Sequence, residues 1–267
     1  METDDEHLKS NRIAVPEAFG TIFTHFYHAE NKSTQAITRT LLPNFQMIMV
    51  FIFGTPVQLI SENNSQINID KCIVLGPVKK AFEYTLPIGS EMLVANFKDD
   101  AFYRFFGKVT LSDKLPTNPD ELLEQNCFTH LWHLVKNANH SDRVNLILDF
   151  CSPYLKSSET AFKHFKEDYT VFNPIKAIAQ ETNQSERTIQ LNHKKYFGFT
   201  AKEKVRYQRF IQAIELLQTP TQETNWFDII DACGYYDQSQ LIHDFKHFIG
   251  HTPVQYLKFQ KEICITN

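Results

Sequence analysis

Glycine and proline are scarce in this 267-residue chain, at 8 and 11 copies. That scarcity excludes collagen-like and low-complexity classes. The five cysteines (Cys72, Cys127, Cys151, Cys233, Cys264) are scattered and form no CxxC pair. An odd count without such pairs reads as reduced thiols that are structural or incidental. Gly-rich phosphate loops, nucleophile elbows and metal-protease motifs are all missing, so no enzyme and no cofactor are expected. The longest apolar run, Met47 to Gly54, falls far short of the roughly 20 residues needed to span a bilayer. Met1 to Asn11 is acidic and polar, unlike a signal peptide. The expected location is the cytoplasm, with no membrane partner.

With 42% hydrophobic and 22% charged residues, the composition is that of a globular protein with one large domain or two modest ones. A net charge of −4 does not by itself point to nucleic acid. The distribution says more. From Thr170 to Phe210 eight Lys or Arg stand against three acids, whereas from Ile211 to Asn267 three stand against seven. Any affinity for phosphates must therefore rest mainly on the first stretch.

The pattern predicts an α+β chain: a β-rich part over 1–115, a helical bundle or linker over 116–166, and an all-α part over 167–267. Phe45 to Phe53 is an almost unbroken apolar run, as expected of a strand buried on both faces. Val57 to Ile60 and Ile67 to Ile69 flank Asn63-Asn64 as a hairpin. Cys72 to Leu75, Phe82 to Leu86 and Glu91 to Phe97 supply further strands, and Asp99 to Phe106 one short helix. After Pro116 the apolar period becomes helical through about Phe165, and Glu167 to Asn173 reads as a linker.

The last hundred residues hold a degenerate repeat. Ser185 to Ala201 lies over Asp237 to Pro253 at an offset of 52, aligning Ile189 with Leu241, Lys194 with Lys246, Gly198 with Gly250 and Thr200 with Thr252. Each copy reads as helix, tight turn, helix. Asn173 caps the first helix with Pro174 at its first position, and Asn183 accommodates the sharp turn. Ser185 caps the second helix, and Gly198 ends it. In the second copy Asn225, Gly234, Asp237 and Gly250 take the corresponding parts. Thr200 and Glu203 form a capping box that opens a long helix through Leu217, joining the copies. A helix-turn-helix places its second helix in the DNA major groove, and two units on one chain can enter successive grooves roughly 34 Å apart.

These residues resemble the AraC/XylS family of transcriptional regulators. The likeness rests on Ile178-Ala179, Ser185, a connecting helix over Arg206 to Leu217, Gly234-Tyr235, Asp237-Gln238-Ser239, Phe245-Lys246, and Gly250-His-Thr-Pro253 before Tyr256. It covers about Pro174 to Leu257. Leu41-Leu42-Pro43, Gly76-Pro77, Phe97 and Ala101 to Arg104 carry a weaker likeness to the family's β-rich sensor domain. The resemblance implies base contacts from Arg187, Gln190 and Leu191 in the first unit and from Gln238, Ser239, Gln240 and His243 in the second. It implies phosphate contacts from Lys194, Lys195, Lys202 and Lys246. The chain departs from the family at Leu191 and His243, where Arg is usual, at His193, where a core Phe is usual, and at Ala201, where Pro is usual.

The expected function is a sequence-specific DNA-binding transcriptional regulator reading the major groove with helices 185–196 and 237–248. The expected partner is double-stranded DNA. A small-molecule effector, a second copy of the chain and RNA polymerase are further partners this reading allows. The alternative is a small-molecule-binding or protein-interaction protein whose helical tail does not bind DNA. No metal site is expected: His243 and His247 lie one turn apart without a completing ligand. His25 and His28, three apart in a strand, point to opposite faces. The aromatic cluster around Phe102 and Trp132 reads as core.

Overall fold

The computed structural model describes residues 8–60, 66–107, 116–154, 174–218, 225–259 and 263–264. The expected Asn63-Asn64 turn, the end of the helical part, the 167–173 linker and the Asn173 cap lie outside them.

Ten strands are described: β1 (Leu8–Ala14), β2 (Phe23–Asn31), β3 (Ile37–Leu41), β4 (Ile48–Gly54), β5 (Val57–Ile60), β6 (Gln66–Ile69), β7 (Cys72–Leu75), β8 (Phe82–Leu86), β9 (Ser90–Phe97) and β10 (Ile263–Cys264). They form two five-stranded sheets, ordered β1-β2-β9-β4-β7 and β10-β3-β8-β5-β6. All pairings are antiparallel except that of β10, which runs parallel to β3 with Ile263 opposite Thr40. The short strand near the C-terminus thus extends a sheet of the N-terminal part.

The unbroken apolar run of β4 follows from its position. Ile48, Val50 and Ile52 turn toward the second sheet, into a core with Ala29, Val57, Ile69, Leu86 and Val94. Met49, Phe51 and Phe53 turn the other way, into a core with Phe26, Leu93, Phe97, Phe102, Phe128 and Trp132. A strand covered on both faces has no polar side to show. The strand begins at Ile48, later than the predicted Phe45. Phe45 has a left-handed backbone (φ 56°) and packs with residues from the C-terminal part instead.

Helices α1 (Ala101–Phe106), α2 (Pro119–Leu123), α3 (Cys127–Asn137) and α4 (His140–Cys151) cover the outer face of the first sheet. Asp120 anchors α2 to α3. Its carboxylate accepts from Phe128 N at 2.7 Å and from Thr129 N at 2.9 Å, donors that a helix start leaves without an intrahelical partner. Trp132 donates its indole N–H to the Ile52 carbonyl at 2.7 Å, tying α3 to the sheet.

The C-terminal part comprises α5 (Pro174–Thr182), α6 (Glu186–Phe197), α7 (Ala201–Gln218), α8 (Trp226–Ala232), α9 (Gln238–Ile249) and α10 (Pro253–Phe259). Phe210, Leu241, Phe245, Phe248 and Tyr256 are the fully buried centre of its core, joined by Leu42 and Phe45 from the N-terminal part.

Candidate nucleic-acid interface

Both copies of the repeat fold alike, and the backbone explains why. At the first turn Gln184 N donates to Ala179 O at 3.0 Å, and at the second Tyr235 N donates to Ile230 O at 2.9 Å. Each turn needs one left-handed residue, supplied by Asn183 (φ 51°) and Gly234 (φ 68°). Glycine meets no Cβ clash there, and Asn tolerates that region better than most side chains. Ser185 then caps α6 by accepting from Thr188 N at 3.1 Å, and Asp237 caps α9 by accepting from Gln240 N at 2.7 Å. Gly198 and Gly250 end these helices with identical bonds, to Lys194 O and Lys246 O. The Thr200–Glu203 box is reciprocal: Thr200 N donates to Glu203 Oε2 at 2.7 Å and Glu203 N to Thr200 Oγ1 at 3.1 Å.

The buried side of α6 is Ile189, His193 and Phe197; that of α9 is Leu241, Asp244, Phe245, Phe248 and Ile249. The opposite sides face outward. Arg187, Gln190, Lys194 and Lys195 are exposed, as are Lys202 on α7 and Gln238, Ser239, His243 and Lys246 on α9. Leu191 is 59% exposed. Gln240 is half-buried and already engaged, since its Oε1 accepts from Tyr236 N at 2.8 Å. It thereby helps to cap the start of α9, one residue ahead of Asp237. Lys195 stands apart from the other cations, with its ammonium 5.5 Å from the Tyr103 ring centre of α1.

Three residues that pattern reading passed over hold α9 in place. Asp244, 1% exposed, accepts from Arg206 Nε at 2.6 Å and from Arg209 Nη2 at 3.2 Å, both on α7. Arg206 also reaches His243, Nη2 to Nδ1 at 3.0 Å. With Nδ1 accepting, the His243 proton sits on the outward Nε2. The spacing of Arg206 and Arg209, one helical turn, was the available signal. Tyr236 and Phe227 were also passed over, at 92% and 81% exposed beside the second unit.

His193 occupies the position of a core aromatic and behaves as one. It is fully buried, its ring lies 4.8 Å from Phe197, and Nδ1 donates to the Phe199 carbonyl at 2.7 Å. Burial lowers its pKa from 6.5 to about 4, so it is neutral at pH 7.

Between the two sheets lies a cavity of about 280 Å³. Val50, Ile52, Leu59, Ile73, Tyr84 and Met92 give it apolar walls, and Arg12, His25, Asn44 and Asn96 add polar groups. His25 turns into it while His28 faces the helices, as their spacing predicted. Burial, with a smaller push from the Arg12 charge, lowers the His25 pKa to about 4. Asn44 Nδ2 is buried with no acceptor among the described residues. The thiols of Cys72, Cys127, Cys151 and Cys233 are all pushed up by burial, which leaves them poor nucleophiles.

Residues 178–258 match a family model described as a helix-turn-helix domain. This part of the chain is a helix-turn-helix domain. The match falls almost wholly within the stretch that carries the AraC/XylS likeness, and bears that likeness out for the C-terminal part. None of the curated proteins matches the chain. Among solved structures, ToxT from Vibrio cholerae is similar at 18% identity and TM-score 0.44, covering 95% of this chain and 98% of that one. ToxT bound to (E)-4-(8-methylnaphthalen-1-yl)but-3-enoic acid gives 16% identity and TM-score 0.43, covering 95% and 99%. An RmlC-like cupin protein from Desulfovibrio desulfuricans covers 36% of this chain and 88% of its own, at 11% identity and TM-score 0.28. Among the described residues no helix is long and apolar enough to cross a membrane.

Proposed function

We propose that the protein is a transcriptional regulator whose helix-turn-helix domain reads the DNA major groove with α6 and α9. The observation that carries this is the outward polar row on both second helices of a domain of that type. Arg187 offers a bidentate donor pair for guanine, Gln190 and Gln238 the donor-acceptor pair that adenine accepts, and Leu191 an apolar contact for a thymine methyl. Ser239 and the Nε2 proton of His243 add polar contacts. Gln240 supports the helix start and reaches DNA only by giving up its bond to Tyr236 N. Lys194, Lys202 and Lys246 fix the register on phosphates, and Lys195 joins them by leaving the Tyr103 ring. In this reading 1–115 senses, 116–166 connects and 167–267 binds DNA. A second copy of the chain strengthens binding to paired sites through effective concentration, and RNA polymerase is the downstream partner. The chain acts in the cytoplasm, without catalysis.

The cavity is the effector site in this reading. Apolar walls, the Arg12 guanidinium and the Asn44 Nδ2, which has no acceptor among the described residues, fit an apolar molecule with an acidic or carbonyl head. Selection of bound sequences from a random duplex pool, followed by mobility shifts across salt concentrations, tests the DNA reading. Affinity is expected to fall steeply with salt, with the selected sequence held in preference to random DNA. Weak, salt-insensitive association without sequence preference would sink it.

A further inference from the structure

β2, β9 and the start of α4 bring together three side chains far apart in the chain. Glu91 Oε1 lies 2.8 Å from His28 Nε2 and 3.0 Å from His140 Nδ1. Arg143, one turn along α4 from His140, donates from Nη1 to the same oxygen at 2.6 Å and lies over the Phe53 ring. The three ligand-type atoms, one each from His28, Glu91 and His140, all sit within 4.8 Å of one another. The cluster is on the helix-covered face of the first sheet, opposite the cavity, and takes no part in the DNA surface.

We propose that His28, Glu91 and His140 bind a divalent transition-metal ion of the Zn2+ class through Nε2, a carboxylate oxygen and Nδ1. Three nitrogens crowd one oxygen that has two lone pairs. With an ion in their midst, both imidazoles turn ring lone pairs to the metal, which relieves the crowding. Metal–ligand bonds of about 2.0–2.2 Å put nitrogen and oxygen roughly 3.3 Å apart in a tetrahedral site, so the two distances from Glu91 Oε1 need open by only a few tenths of an ångström. Arg143 holds the carboxylate through the same oxygen, as hydrogen-bonding partners of ligating carboxylates do. Two imidazoles favour zinc, copper or nickel over magnesium or calcium. His140 is largely exposed, which leaves an entry path and room for water as a fourth ligand. A bound ion clips the start of α4 to two strands.

The full chain, stripped with a chelator, is titrated with Zn2+ by calorimetry and with Co2+ by visible absorption. One ion per chain is expected, with a rise in melting temperature. His140→Ala, a change at an exposed position that leaves the core intact, should weaken binding about ten-fold or more and abolish the Zn2+-dependent rise. His28→Ala should do the same. His243→Ala, which removes the separate His243–His247 pair, should leave both unchanged. Absence of saturable binding in the parent, or equal binding in parent and His140→Ala, overturns the proposal.

Discussion

The Tyr207 hydroxyl on α7 donates to the Pro43 carbonyl at 2.9 Å, and its ring stacks on Phe45 with 4.4 Å between centres. Pro43 and Phe45 belong to the six-residue turn between β3 and β4, whose Asn44 lines the cavity beside Leu41 at the end of β3. That turn therefore has one side in the cavity and the other against the helix joining the two reading units. Ala81 N to Phe248 O at 2.7 Å and Lys79 to Glu203 at 3.0 Å add to the same contact. An occupant that shifts Asn44 acts on α7 without a long relay.

Phe45→Ala tests that contact. Removing a buried Phe costs about 3–5 kcal/mol where the site cannot collapse, and here the loss falls on the joint between the two parts. Thermal unfolding should separate into two transitions, with the helix-turn-helix domain melting independently. A single transition at the parent temperature would show that the joint contributes nothing.

The cavity predicts its own ligand series. Apolar carboxylates sized for about 280 Å³ should raise the melting temperature, and the corresponding primary alcohols should do so less. Arg12→Ala removes the charged donor, a loss of about 1.5–3 kcal/mol in a hydrogen bond to an ionised group, or ten-fold and more in affinity. Equal affinity for acid and alcohol, or for parent and variant, would remove Arg12 from the site.

The turn and cap chemistry of the helix-turn-helix domain was legible because each device is local. Asn183, Ser185, Gly198, Gly234, Asp237 and Gly250 act within one or two turns of themselves, so their spacing survives in one dimension. The strands were legible for a similar reason, since burial on both faces of β4 leaves an unbroken apolar run. Phe45 misled because an apolar residue next to a strand reads as part of it, while its real partners stand about 160 residues away. Arg206 and Arg209 converge on Asp244, and His28, Glu91 and His140 on one another, only after folding. No spacing rule links residues on different elements, and Asn44 looked like an ordinary turn residue until the cavity behind it appeared.

Base reading and phosphate binding separate by their salt and sequence dependence. Arg187→Ala should cost about 1–3 kcal/mol on the selected site and little on random DNA, relaxing preference at one base pair. Lys194→Ala should weaken both DNAs alike and lower the salt slope by about one. Fluorescence anisotropy on both duplexes at several salt concentrations measures both. Uniform loss from Arg187→Ala would reassign it to the phosphate class.

Asp244 carries the geometry of the second unit. Asp244→Ala leaves Arg206 and Arg209 without their carboxylate; because both cations keep access to water, at 28% and 23% exposed, the loss should fall short of the about 3–5 kcal/mol of a fully buried pair. Binding should fall through displacement of α9, with the first unit's base preference retained. Retention of full affinity in a variant of unchanged melting temperature would mean that α9 is held by its apolar side alone.

His193 sets an acid limit on the domain. Its pKa falls from 6.5 to about 4 on folding, so between those values the unfolded chain binds a proton that the folded chain does not. Stability is therefore complete above pH 6.5 and declines as pH drops toward 4, by about 3 kcal/mol at most from this residue. His25 titrates over the same interval for the same reason, in the other part of the chain. His193→Phe deletes one of the two titrations while keeping an aromatic ring between Phe197 and Phe199. Denaturant unfolding at pH 7.5, 6, 5 and 4.5 should show a shallower decline for the variant, by about one proton in the slope. A variant that tracks the parent across that range would mean His193 is already charged in the folded domain, which its bond to the Phe199 carbonyl alone would then have to support.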